Sequence, residues 1–149
     1  MEELRGRALV EGDARGEALV TREPLSFWGG FDFQSGEIID RHHPLAGVRA
    51  AGRILAVPFS KGSSTTTAVL LEAVRAGTAP AAIVTTGVDP FFALASIVAG
   101  EMYGKAFPVV SLERGDFDRL ATGQQLIVEC SGVIRVVDRP LGFVLPRPV

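Results

Sequence analysis

The hydrophobic pattern is clearest in the middle of the chain. Arg53–Phe59 (RILAVPF) is a continuous apolar run, the pattern of a strand covered on both faces. From Thr65 to about Ala76 the apolar positions Val69, Leu70, Ala73, Val74 and Ala76 recur at three and four, which predicts a helix stopped by Gly77. Ala81–Thr86 reads as the next strand. Asp89 has the chemistry of an N-cap and Pro90 that of a first helical residue, so a second helix should run to about Tyr103 and stop at Gly104. Pro108–Leu112 closes the series as a strand. The order β-α-β-α-β predicts a short parallel three-stranded core with right-handed crossovers, hence an α/β fold.

The flanks read as β. Arg7–Val10, Glu17–Arg22 and Glu37–Asp40 are short strand candidates on the amino-terminal side. On the other side Phe117–Ala121 reads as a single helical turn. Gln125–Cys130 and Val133–Val137 flank Ser131-Gly132, a suitable two-residue hairpin turn, with Cys130 a small buried residue at its strand's end. Phe91 and Phe92, at the start of the second helix, read as core. Residues 139–149 carry three prolines and read as an extended tail. The whole, residues 1–149, suits a single domain with additional β strands around a small α/β core.

Composition narrows the function. The net charge of −2 lacks the basic excess of a nucleic-acid binder. One cysteine in 149 residues excludes an internal disulfide framework and a self-contained Cys-rich metal or iron–sulfur site, and it fits a reducing, cytoplasmic setting. The longest mostly apolar stretch, Pro90–Gly100, is too short to span a membrane, and the charged start MEELRGRALVEGDARGE lacks a signal-peptide core. The 47% of hydrophobic residues should therefore serve a sheet buried on both faces, a subunit interface, or both.

The segment Ser60-Lys61-Gly62-Ser63-Ser64-Thr65-Thr66-Thr67 follows a strand and opens a helix. A helix N-terminus at the carboxyl edge of a parallel sheet offers free N–H groups and partial positive charge to an anion. Gly62 permits close backbone approach, the hydroxyls of Ser63 and Ser64 and the Lys61 ammonium add donors, and the Walker A order is absent. The plainer reading is a serine cap, although five hydroxyls in a row exceed what a cap needs. No Ser-His-Asp set can be assembled, because the only histidines, His42 and His43, are neighbours. Adjacent side chains on extended backbone diverge, so this pair makes poor metal co-ligands and reads as a loop with local hydrogen bonds. Phe27-Trp28-Gly29-Gly30-Phe31 is either a plug over the sheet or a surface that docks elsewhere.

Three blocks together, SFWGGFD…GEIIDRHHPLAG (Ser26–Gly47), GRILAVPFSKGSSTTTAVLLEAVRAGTAPAAIV (Gly52–Val84) and YGKAFPVVSL (Tyr103–Leu112), resemble the small, swivel-domain subunit of the aconitase X family. The resemblance runs from Gly6 to about Asp138, with the blocks in the expected order and spacing. It implies a swivelling β/β/α domain and a hydro-lyase subunit, inactive alone, that closes over an iron–sulfur site held by a large partner subunit. This chain would itself bind no metal. Archaeal members resemble mevalonate 5-phosphate dehydratases, and many bacterial members resemble cis-3-hydroxy-L-proline dehydratases. Carried over by position, the family's Gly-Ser falls on Gly62-Ser63, so Ser63 is the catalytic base, and Ser64 and Thr65 help hold a substrate carboxylate or phosphate, beside Lys61 and Gly62 of the same anion turn. The family's His-Pro falls on His43-Pro44, which places His43 at the interface or closure loop, where the aromatic Phe27 and Trp28 are also assigned. One departure is Thr66-Thr67, where bacterial relatives often carry a small residue. The favoured substrate is a small hydroxy acid like cis-3-hydroxy-L-proline. Mevalonate 5-phosphate is one alternative, and a non-catalytic anion- or partner-binding module is the other.

Overall fold

The computed structural model describes residues 2–61 and 64–137, without the side chain of Ser64. The candidate residues Gly62 and Ser63 and the tail over 139–149 lie outside the described residues. The chain begins with β1 (Glu2–Arg5) and β2 (Arg7–Val10), divided only by Gly6, and continues into β3 (Ala14–Val20). Two small pairs follow in the loop region. β4 (Leu25–Ser26) lies parallel to β8 (Ser60–Lys61), and β5 (Phe31–Asp32) antiparallel to β6 (Glu37–Ile38). β7 (Ile54–Ala56), α1 (Ser64–Ala76), β9 (Ala82–Thr86), α2 (Pro90–Tyr103) and β10 (Val109–Leu112) make the central α/β unit. A short α3 (Arg114–Phe117) leads to the hairpin β11 (Gln125–Val128) and β12 (Val133–Val137).

The main sheet runs β1-β12-β11-β3-β7-β9-β10-β2. Since β1 and β2 are joined through Gly6, its two ends are one bent ribbon and the sheet returns on itself. A Cβ on Gly6 would stand 2.5 Å from Val110 Cγ1 and 2.9 Å from the Ser111 carbonyl, so the crossing needs glycine. β3 also serves both halves. Ala14–Glu17 pairs antiparallel with β11, and Ala18–Val20 pairs parallel with β7. The parallel part therefore has four strands, β3, β7, β9 and β10, one more than the apolar pattern predicts.

Alternation along the strands fills two cores. Ile54, Ala56, Val84, Val110, Leu126 and Ile134 face one another inside the folded-back sheet. Leu55, Val57, Ile83 and Val109 face outward, where α1 and α2 cover them. The result is β layer, β layer, helix layer, the swivelling β/β/α arrangement expected.

The helix boundaries follow the punctuation in the sequence. Asp89 caps α2 with its side chain, Pro90 is its first residue, and Gly77 and Gly104 take φ of 79° and 68°. Other boundaries differ. The strand expected to Phe59 ends at Ala56, because Pro58 has no N–H to give the ladder. The strand expected over Glu17–Arg22 ends at Val20, where the Thr21 hydroxyl turns the chain by accepting from the Glu23 N–H at 3.0 Å. The helical turn expected over Phe117–Ala121 lies earlier, with Phe117 at the end of α3 rather than its start. The hairpin loop is Cys130-Ser131-Gly132, three residues with Gly132 at φ 96° and its N–H on the Glu129 carbonyl. Cys130 thus sits in the turn and is exposed, not buried as expected. Among the described residues no helix is long and apolar enough to cross a membrane.

Candidate functional site

The carboxyl ends of β7 and β9 and the amino ends of α1 and α2 meet at one edge of the sheet. Beyond β7 the chain crosses this edge through Val57, Pro58 and Phe59. The Val57 N–H reaches the Val84 carbonyl at 2.9 Å, and the Pro58 carbonyl accepts from the Thr86 N–H at 3.3 Å. The chain then pairs briefly with β4 as β8, and α1 begins after two intervening residues. A segment that joins a strand to a helix at this edge is where open α/β sheets bind ligands.

Asp89 is the charged group buried at this edge, only 5% exposed. Its Oδ1 accepts from the Phe91 and Phe92 N–H groups at 3.0 and 3.3 Å, which caps α2. Its Oδ2 accepts from the Ser60 N–H at 2.8 Å and the Ser60 hydroxyl at 2.9 Å. Four donors on one carboxylate compensate its burial. The Thr67 hydroxyl donates to the Phe91 carbonyl at 3.0 Å and ties α1 to the first turn of α2. Thr66 is fully buried, and its hydroxyl has no partner among the described residues.

Of the residues expected here, Lys61 and Thr65 are exposed, on β8 and on the first turn of α1. Ser64 is the first residue of α1, and Gly62 and Ser63 lie outside the described residues between these two elements. The residues expected at the closure loop divide. Trp28 is 68% exposed. Phe27 is instead fully buried, its ring 5.3 Å from that of Phe31 and 5.6 Å from that of Phe92, so it anchors the loop to α2. His43 is also interior. Its Nδ1 accepts from the Leu45 N–H at 3.0 Å, which puts the proton of the neutral ring on Nε2, an atom without a partner among the described residues. His42 is exposed, so the adjacent histidines diverge.

The sequence reading assigns no site role to Asp89, Phe59 or Val88, and gives Ser60 none beyond opening the candidate segment. Asp89-Pro90 signals only a cap, and the second oxygen of the carboxylate leaves no mark in a one-dimensional pattern. Phe59 and Val88, 48% and 65% exposed, stand past the carboxyl ends of β7 and β9. Their signal is a large apolar residue immediately after Pro58 or Gly87, where the strand stops. Among the described residues no group of three His, Cys, Asp or Glu side chains could hold a metal.

A family model described as the aconitase X swivel domain matches residues 3–136. The cis-3-hydroxy-L-proline dehydratase of Pseudomonas aeruginosa is 51% identical over 116 residues, 77% of this chain and 20% of the relative. The chain thus spans about a fifth of that relative's length. The phosphomevalonate dehydratase small subunit of Methanothermobacter thermautotrophicus is 41% identical over 98 residues, 66% of this chain and 75% of the relative. The crystal structure of Thermococcus kodakaraensis aconitase X in its holo form superposes with a TM-score of 0.82 at 32% identity, covering 93% of this chain and 100% of that one.

Proposed function

The chain belongs to the aconitase X swivel-domain family, and on that premise we propose that it is the small subunit of a two-subunit hydro-lyase that dehydrates a small hydroxy acid. The observation that supports this reading is that β8, ending at Lys61, and α1, beginning at Ser64, follow β7 at the carboxyl edge of the parallel sheet. A cis-3-hydroxy-L-proline-like substrate is favoured by the 51% identity to the Pseudomonas relative. Mevalonate 5-phosphate is the second reading, favoured by a small-subunit relative of which the match covers 75%.

Ser63 is the proposed base. It takes the proton beside the substrate carboxyl group while hydroxide leaves the neighbouring carbon and the double bond forms. An alkoxide at neutral pH needs donors around it. The free N–H groups at the start of α1 and the Lys61 ammonium supply them in a site closed to water. Gly62, Ser64 and Thr65 hold the substrate's carboxylate or phosphate.

The residues of this chain do not fit an iron–sulfur cluster. Its one cysteine, Cys130, stands exposed in a hairpin turn beside the carboxylates of Glu11 and Asp13. The cluster implied by the family belongs, in this reading, to the large partner, and the isolated chain has no activity.

The test is reconstitution of the full chain with its large partner and assay against cis-3-hydroxy-L-proline and mevalonate 5-phosphate. Ser63→Ala should abolish turnover and leave the complex assembled. Turnover near the wild-type rate in that variant would sink the serine assignment. A complex without lyase activity on either substrate would favour a non-catalytic binding module.

A further inference from the structure

One oxygen of the Asp89 carboxylate is not needed for the task its position suggests. A cap requires one acceptor, and Oδ1 alone meets the Phe91 and Phe92 N–H groups. Oδ2 takes both the backbone N–H and the hydroxyl of Ser60, at 2.8 and 2.9 Å. Two donors from one residue on one oxygen fix both the backbone and the side chain of Ser60. Seven residues later Thr67 is fastened to the Phe91 carbonyl at 3.0 Å. The segment over 61–66 is therefore held at both ends by the first turn of α2, within residues 89–91.

We infer that Asp89 is a positioning residue for the reaction: through Ser60 it sets where the segment carrying the proposed base begins. The inference rests on the reading of Ser63 as that base. The mechanical logic is general. A reacting group works within a narrow range of distances, and a displacement near 1 Å costs about 10²-fold in rate. Two residues separate Ser60 from Ser63, a reach of at most about 11 Å, so the position of Ser60 bounds where Ser63 can stand.

Asp89→Asn separates the two oxygens. The side-chain carbonyl still caps α2, since asparagine is as good a cap as aspartate, while the NH2 group now faces the donors of Ser60 and accepts nothing. In the reconstituted complex this variant should lower kcat by about 10²-fold with KM little changed. In the full chain, amide exchange at Ser60 and Lys61 should accelerate while Phe91 and Phe92 keep their protection. Wild-type kcat in Asp89→Asn beside an inactive Ser63→Ala variant overturns the positioning role and leaves the serine reading intact. An active Ser63→Ala variant removes the serine reading and this inference with it. Should Asp89→Asn fail to fold, Ser60→Ala carries the test, since it removes one of the two donors and leaves the cap whole. Its kcat should fall about tenfold, and an unchanged kcat would overturn the inference.

Discussion

Cys130 shows how one displaced turn residue changes a side chain's chemistry. In the three-residue loop its N–H meets Asp13 Oδ1 at 3.1 Å and its sulfur lies 3.9 Å from Glu11 Oε1. Partial desolvation, then the negative charges of Glu11 and Asp13, push its thiol above the ordinary value. Both carboxylates oppose the thiolate, so removing one charge must lower the pKa. Glu11→Gln should therefore speed alkylation of Cys130 near pH 8 and shift the pH–rate curve to lower pH, measured with iodoacetamide on the native chain. An unchanged curve would refute the electrostatic account. The sequence placed this residue inside because period-two alternation, buried at Leu126 and Val128, makes position 130 buried as well. The strand ends before that parity applies. At Phe27 the sequence left two readings, a plug or a docking surface; aromatic density marks the loop, but nothing in the string shows that Phe31 and Phe92 enclose this ring.

Elements that carry their own stop and start signals were legible, and those defined by a distant partner were not. α2 is bounded by Asp89-Pro90 and Gly104, residues whose local chemistry ends helices in any context. β1 has the sequence Glu-Glu-Leu-Arg and buries only Leu4, so it exists by virtue of its ladder with β12. The division of β3 between β11 and β7 is equally invisible, because pairing is a property of two strands and the sequence displays one. The Gly6 crossing depends on the same long-range geometry. Gly6→Ala would push a methyl into Val110 and the Ser111 carbonyl, the second of which is backbone and cannot step aside. The expected cost is about 1–3 kcal/mol, read as a lower denaturant midpoint with an unchanged slope. A midpoint equal to that of the wild type would show that the ribbon bends elsewhere.

At the scale of the molecule, the apolar excess has two destinations. One is the parallel strands, whose residues Ile54, Leu55 and Ala56 are buried on both faces. The other is surface: Trp28, Phe59 and Val88 are exposed past the carboxyl ends of β4, β7 and β9. A proposed base that works as an alkoxide needs a water-poor setting. The proposed large partner would provide it by closing on these exposed side chains. A large aromatic at the centre of such a contact is the kind of residue that carries binding energy, about 2 kcal/mol or more. Trp28→Ala should then weaken association with the large partner by about 30-fold, measured by titration calorimetry. It should leave the melting temperature of the small subunit where it was, because the ring makes little contact with its own fold. Equal loss of affinity and stability would mean that Trp28 supports the loop from within, as Phe27 does. Unchanged affinity would move the closing surface away from these side chains.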